Sequence, residues 1–444
     1  MKSTFLSHAL FAGVVSLAVT AFADTNLVDV RVSPERDQIY KTDGAEAIFD
    51  VNLHGKDSTS ARHVPINLAL VIDHSGSMSE GEKIENAREA ACSAIDQLDP
   101  SDTFSLVQFD NNVDVLIPAQ PVENKEQLKE VVNGIEPGGS TALYAGVQEG
   151  AHQLRKYFDE KNVNRVILIS DGIANVGPSS PDEIADLGRD IREKGASVTT
   201  IGLGADYNED VMASIAEASG ANYYYVQDAE KLPGILQEEL GQVKNVVAQN
   251  LHIIIELPDG VESIEIIGMP DAHFEGNKVT ISLGSFYGSQ RRDLLVRCRI
   301  KSPKGKAADI GNVHVAYSAP GNGAACESDA VANVKFTDKK ADSEKSVDAD
   351  VATQVALSEN AATRQRALQL QDEGKLKDAA DLLRGQASAD AAGGAALDNS
   401  KLASEAKSLR SIAGQLESAA PLSNVQRKDF QYENYNQANQ RDQQ

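Results

Sequence analysis

Hydrophobic and polar positions change rhythm several times along these 444 residues, and each change marks a different kind of structure. From residue 24 to about 60, alternating segments, NLVDVRV and AEAIFDVNLH, are separated by polar turn residues, which predicts two or three strands. At Pro65 the alternation gives way to the nearly continuous run Ile66, Leu68, Ala69, Leu70, Val71 and Ile72, expected of a strand covered on both faces in a parallel sheet. Ser79 with Glu82 three residues on has the spacing of a capping box, and Ile84, Ala87, Ala91, Ile95 and Leu98 recur at helical period. Strand and helix patterns then alternate through 103–109, 113–117, 128–135, 143–158, 166–170, 197–204, 210–218, 223–226 and 229–243. This predicts a doubly wound, Rossmann-like α/β domain over 64–243.

Beyond Val243 the helical period stops. LHIIIELP, VESIEIIG, KVTISLG, DLLVRCRIK, VHVAYSA and ANVKFT follow with Gly, Pro and Asn between them, six short strands that imply a β-sandwich over 245–338. The strands of 24–60 are too few to form a domain, so they are expected to join this sandwich, with the α/β domain inserted in or beside it. Apolar positions return to helical period over 346–420: Val351, Val355, Ala362 and Leu368, then Leu376, Ala379 and Leu383 after Gly374, then Leu402 to Leu416 after a loop expected at Gly393-Gly394. The Gln- and Asn-rich stretch 423–444 reads as a disordered tail.

The first 23 residues change the picture of where the chain works. Lys2, the apolar segment 10–19 and Ala21-Phe22-Ala23 have the pattern of a signal peptide over 1–23, with a periplasmic or secreted destination and no membrane span after cleavage. The formal charge of −24 makes nucleic acid an unsuitable partner. Of the three cysteines, Cys92 reads as a small buried hydrophobe in the first helix, whereas Cys298 and Cys326 share the β-rich region and are a candidate disulfide.

Candidate chemistry concentrates in Pro65 to Met78, PINLALVIDHSGSM, where Asp73, Ser75 and Ser77 occupy a strand-to-helix turn. Three oxygen side chains at alternate positions of such a turn can converge on a hard cation such as Mg2+, although seen alone they also suit ordinary helix capping. Further oxygens are available from Thr141 in Gly138-Gly139-Ser140-Thr141 and from Asp171 at the end of RVILISDG. Asp73 and Asp171 then end neighbouring strands, where the strand order of an open α/β sheet reverses and ligands bind. His74, inside the turn, is expected to point to solvent, and no histidine spacing suggests zinc.

These residues strongly resemble the metal-ion-dependent adhesion site of the von Willebrand factor type A family, written D-x-S-x-S, then T, then D, with all five positions filled. The resemblance covers about 64–240 and includes the loop IGLG at 201–204. It implies that Ser75, Ser77 and Thr141 ligate a divalent cation directly or nearly so, that Asp73 and Asp171 act through water, and that a partner's Asp or Glu completes the shell. Mg2+ is the expected ion, with Mn2+ or Ca2+ as alternatives. The β-rich flank is similar in architecture to inter-α-trypsin inhibitor heavy chains. A metal-dependent protein-binding module is therefore expected; the alternative is an envelope component whose metal only stabilises the fold. A metal-assisted hydrolase is the least favoured reading, since no H-E-x-x-H, G-x-S-x-G or dinucleotide glycine pattern is present.

Overall fold

The computed structural model describes residues 27–57, 64–269, 272, 274–418 and 420–440. The expected signal peptide over 1–23 lies outside them. The chain starts with β1 (Val28–Pro34), β2 (Gln38–Tyr40) and β3 (Ala45–Gly55). The α/β domain follows, with β4 (Ile66–Asp73), α1 (Lys83–Gln97), β5 (Thr103–Phe109), β6 (Val113–Pro121), α2 (Lys125–Val132), α3 (Leu143–Leu154), β7 (Val163–Ser170), α4 (Pro181–Glu193), β8 (Ser197–Leu203), α5 (Glu209–Ser219), β9 (Tyr223–Val226) and α6 (Leu232–Lys244). Its sheet has the order β6-β5-β4-β7-β8-β9, parallel except for the antiparallel β6 at one edge.

The apolar run has the expected cause. All eight residues of β4 are buried, with Leu68, Leu70 and Ile72 packed on the α1 and α6 side and Ala69 and Val71 on the α3, α4 and α5 side. A strand covered on both faces has no use for alternation, and its polar residues are pushed to its ends, where Asp73 stands.

The sandwich is built from β10 (Val246–Glu256), β11 (Val261–Ile266), β12 (Lys278–Tyr287), β13 (Arg291–Ile300), β14 (Ala307–Ser318) and β15 (Ala325–Thr337) together with the N-terminal strands. One sheet runs β1-β3-β13-β11 and the other β12-β10-β14-β15-β2, so the α/β domain is inserted between β3 and β10. Cys298 on β13 and Cys326 on β15 lie in opposite sheets, and the anticipated disulfide is not formed: both are buried thiols, with the Sγ of Cys326 turned to the Ala324 carbonyl at 3.7 Å. Cys92 is only half-buried, packed against the core from α1 with Asn133 Oδ1 3.8 Å from its sulfur.

The insertion is fastened to the sandwich by a buried polar network. Arg165 of β7 and Glu239 of α6 have no exposed side-chain surface and pair at 3.2 Å. Thr199 bonds to both, Asn222 and Tyr224 donate to the second Glu239 oxygen, and the hydroxyl of Tyr287, on β12, receives a bond from Arg165. Every oxygen of the carboxylate is thereby occupied, the condition under which a buried ion pair is tolerated.

Helices α7 (Lys340–Lys345), α8 (Ala349–Asp372), α9 (Leu376–Leu397), α10 (Ser400–Glu417) and α11 (Asn424–Ala438) complete the chain. Two expectations are corrected here. Gly393-Gly394 lies within α9, which ends instead at Asp398 in the left-handed region, followed by Asn399 capping α10. A side chain on Gly394 would meet the Asn399 carbonyl at 3.1 Å, so glycine lets the two helices close on each other. Nor is the stretch after Ser423 a disordered tail, for a capping box of Ser423 and Gln426 starts α11. Phe430 and Tyr435 are buried, Tyr435 sets its ring edge-on to Tyr223 at 5.4 Å, and its hydroxyl donates to the Ala221 carbonyl at 2.7 Å. Arg427 pairs with Glu209, Asp210 and Asp372, and Lys428 with Glu209 at 2.8 Å. Polar composition hid a helix set between two cores, with Phe430 packed against α8, α9 and α10 and Tyr435 against the α/β domain. Among the described residues, no helix is long and apolar enough to cross a membrane.

Two predictions follow from these buried charges. Replacing Glu239 by Gln leaves the Arg165 guanidinium without its counter-charge, and urea unfolding should show a loss of roughly 3 to 5 kcal/mol. Asp50, beneath α8 on β3, has its carboxyl pushed up to about 9, chiefly by burial and then by Asp293 and Asp348. Because the folded state favours the neutral acid, its contribution to stability is complete below about pH 4, the ordinary carboxylate range, and is lost as pH rises towards 9. Asp50→Asn should therefore be more stable than wild type near pH 8 and show a flatter pH dependence, measured by urea unfolding at a series of pH values.

Candidate metal centre

The site sits at the carboxyl end of β4, between β5 on one side and β7 on the other, where the strand order reverses. After Asp73 the backbone turns at once, held by Asp73 Oδ1 accepting the Ser75 amide at 2.8 Å. Residues Gly76–Ser79 form a single 3-10 turn, and α1 begins only at Lys83, with Glu82 before it in the left-handed region. The expected capping box is thus replaced: Ser79 Oγ donates to the Gly76 carbonyl at 2.7 Å and does not cap α1. His74 is buried, contrary to its expected exposure, and its Nδ1 lies 2.9 Å from the Glu136 carbonyl.

The loop before α3 is laid over this turn. Gly138 donates its amide to the His74 carbonyl at 2.6 Å and Gly76 donates to the Gly139 carbonyl at 3.1 Å, which brings Thr141 to the same crest. Thr141 is then clamped by Asn175, whose Oδ1 accepts its amide at 3.0 Å while the Asn175 amide returns to the Thr141 carbonyl at 3.1 Å. On the far side, Asp171 follows β7 directly. Its Oδ1 accepts from Ser77 Oγ at 2.7 Å and its Oδ2 pairs with Lys83 Nζ at 2.6 Å.

All five anticipated residues therefore face one another. Ser75 Oγ and Ser77 Oγ are 3.2 Å apart, close to the ~2.9 Å edge of an oxygen octahedron with ~2.05 Å metal-to-oxygen distances. Gly172 leaves room for the remaining pair, since a side chain there would meet Thr141 Oγ1 at 2.6 Å and Asp73 Oδ2 at 3.2 Å. Asp73 and Asp171 have no exposed surface, Ser75 and Thr141 are buried, and Ser77 is half-buried, so the opening lies on the hydroxyl side. Burial pushes the Asp73 carboxyl up to about 6, against the hydrogen bonds from Ser170 and Ser75 that favour its ionised form. Among the described residues no three His, Cys, Asp or Glu side chains gather to hold a metal. The donor set here is two carboxylates with three hydroxyls, suited to a hard, oxygen-seeking dication. The residues present fit such an ion.

Three participants escaped sequence reasoning. Ser170, the last residue of β7, donates to Asp73 Oδ2 at 2.5 Å; Asn175 clamps Thr141; and Lys83 neutralises Asp171. A lysine at a helix start carries no signal by itself, and only the fold places it against a carboxylate 88 residues away.

A buried oxygen site at the crest of an open α/β sheet defines a class of ligand-binding domain. Residues 67–238 match the model of the von Willebrand factor type A domain. The uncharacterized protein sll0103 of Synechocystis sp. is 26% identical over 271 residues, covering 59% of this chain and 64% of that protein. Inter-alpha-trypsin inhibitor heavy chain H3 of Rattus norvegicus is 31% identical over 233 residues, covering 49% of this chain and 25% of its own length. The chain thus spans less than two thirds of either relative. The solved structure of a von Willebrand factor type A protein from Catenulispora acidiphila superposes with a TM-score of 0.68 at 18% identity, over 84% of this chain and 89% of that one, so the shared fold extends beyond the α/β domain.

Lys83 gives this site a direct test. Its side chain is 12% exposed and that of Asp171 not at all, so in metal-free protein Lys83→Met should lower the unfolding free energy by about 3 kcal/mol, read from urea titrations in chelator.

Proposed function

We propose that this chain is a metal-dependent protein-binding module of an exported protein, acting by capture and not by catalysis. Ser75, Ser77 and Thr141 would hold a divalent cation, Mg2+ by preference, and Asp73 and Asp171 would hold its waters. When bound, the ion supplies positive charge and a coordination position for an oxygen from outside. The observation that carries this reading is the convergence of five oxygen side chains on one crest, with the two serine hydroxyls 3.2 Å apart and both carboxylates fully buried.

Charge accounts for the kind of partner. Lys83 already offsets Asp171 at 2.6 Å, so a dication added to this set leaves the site net positive and receptive to a carboxylate of a partner's Asp or Glu. The hydroxyl side, where Ser77 is half-buried, is the side open to it. Export rests on Lys2, the apolar segment 10–19 and Ala21-Phe22-Ala23. Capture is favoured over hydrolysis because the side chains at the crest are engaged in holding one another: Asp73 accepts from Ser170 and the Ser75 amide, and Asp171 from Ser77 and Lys83. Both buried carboxylates of the site are thus already engaged as acceptors rather than held free as a general base.

The test is thermal unfolding of the chain from Asp24 in chelator, Mg2+, Mn2+ or Ca2+, alongside Asp73→Ala and Thr141→Ala. A ligand that binds only the folded state raises its stability, by about 2.7 kcal/mol at a hundredfold excess over Kd. The midpoint should rise in wild type with at least one ion and stay fixed in both variants. No shift with any ion, with calorimetric titration also silent, would overturn the metal-dependent mechanism.

A further inference from the structure

Beside the metal centre lies a surface of two contrasting halves. The loop after Asp171, residues 172–180 (GIANVGPSS), has no charged residue in a chain that is 24% charged. Ile173 is 58% exposed, the highest value for a large apolar side chain among the described residues, and Val176 is 38% exposed. Slack backbone does not explain them. Ala174 between them is buried in the core, and the amides of Asn175 and Val176 both donate to the Thr141 carbonyl, at 3.1 and 3.3 Å. The loop is thus fastened to a site residue with its small side chain inward and its two large ones held in water, an arrangement that costs solvation unless a partner covers them. Across the site, the segment from the 3-10 turn to α1 presents the exposed Glu80 and Glu82, which have no ion pair among the described residues, while the adjacent Lys83 is committed to Asp171.

We infer that this crest recognises an extended protein segment of stated pattern: a carboxylate for the metal centre, an apolar side chain on one flank to cover Ile173 and Val176, and a basic side chain on the other flank to face Glu80 and Glu82. The inference rests on the metal-dependent reading and adds to it the chemistry of the partner. Apolar contact beside a desolvated polar anchor is the composition of an interface centre, with the two glutamates forming part of its charged rim. The opposed halves also give the segment a direction, since reversing it would set a basic group over the apolar loop and an apolar group against two carboxylates. A small anion would use the metal alone and ignore both flanks.

The probes are fluorescein-labelled Gly-Ser peptides carrying Lys, Glu and Leu at alternate positions, the same peptide in reverse order, and versions with Gln for Glu, Ser for Leu or Ser for Lys. Anisotropy is read with the full chain in Mg2+, and Mn2+ affinity is titrated in parallel. One of the two orders should bind best, Gln for Glu should abolish binding, and Ser for Leu should weaken it about tenfold. The variant Ile173→Ser with Val176→Ser should lose the same tenfold for the Leu peptide, leave the Ser-for-Leu peptide unchanged and keep its Mn2+ affinity. Glu80→Lys with Glu82→Lys should weaken only peptides that retain Lys. If wild type binds Mn2+ but no peptide, or binds all the Glu peptides alike, this inference is overturned while the metal reading stands. If wild type binds no divalent ion at all, both fall.

Discussion

Asp73 and Asp171 are two carboxylates with no exposed surface, at the ends of adjacent strands, and the architecture of the α/β domain answers to the need to keep both ionisable groups satisfied there. Each oxygen must find a donor or a counter-charge, because burying an unpaired carboxylate is far more costly than burying a hydrocarbon of the same size. The chain meets that need with short-range and long-range means together. The Ser75 amide and Ser170 hydroxyl serve Asp73, while Ser77 and Lys83 serve Asp171. These partners come from the turn after β4, the end of β7 and the start of α1, so satisfying two side chains fixes the relative placement of three elements. The loop carrying Thr141 is then held by backbone bonds to that same turn. The site is preorganised because its own electrostatics demand order.

Much of this was legible in the amino-acid sequence, for a reason that can be located. The unbroken apolar run of β4 signals burial on both faces, and the polar residue that closes it marks the carboxyl end of a central strand, which is where Asp73 is. The order D-x-S-x-S, T, D then carries Thr141 and Asp171 with it. The start of α1 was misread because Ser79 and Glu82 satisfy the spacing of a capping box, whereas the local backbone is decided by the 3-10 turn that brings Ser77 to Asp171. A tertiary hydrogen bond outweighs a local one. His74, inside the turn, is expected in solvent, but the loop ending at Thr141 covers it and supplies the Glu136 carbonyl.

The C-terminal end failed for a different reason. Average composition points to disorder, and the average conceals position: Phe430 and Tyr435 are few among Gln and Asn, yet Phe430 packs with α8, α9 and α10 and Tyr435 with the α/β domain, and Arg427 and Lys428 meet carboxylates from α5 and α8. None of those carboxylates is close in sequence. Glu209 lies 218 residues before Arg427, so no local pattern could report the pairing. The misplaced loop at Gly393-Gly394 has the same origin, since close approach of α9 and α10 turns two residues that usually interrupt a helix into ones that permit contact.

Both ends of the α/β domain are tied to the rest of the chain, and the two ties differ in kind. At the sandwich side, Arg165, Glu239 and Tyr287 form a buried network. At the start of α5, by contrast, Arg427 is 16% exposed and holds three carboxylates, of which Asp210 and Asp372 are themselves open to water. Water and salt weaken the second tie far more than the first. The start of α5 follows β8, whose last residue is succeeded by Gly204, and a side chain at Gly204 would lie 3.4 Å from the Lys83 stem. Lys83 in turn holds Asp171. The helical C-terminus thus rests on the start of α5, at the end of the sheet that carries the metal centre, while the sandwich grips the domain at the start of β7 and at α6.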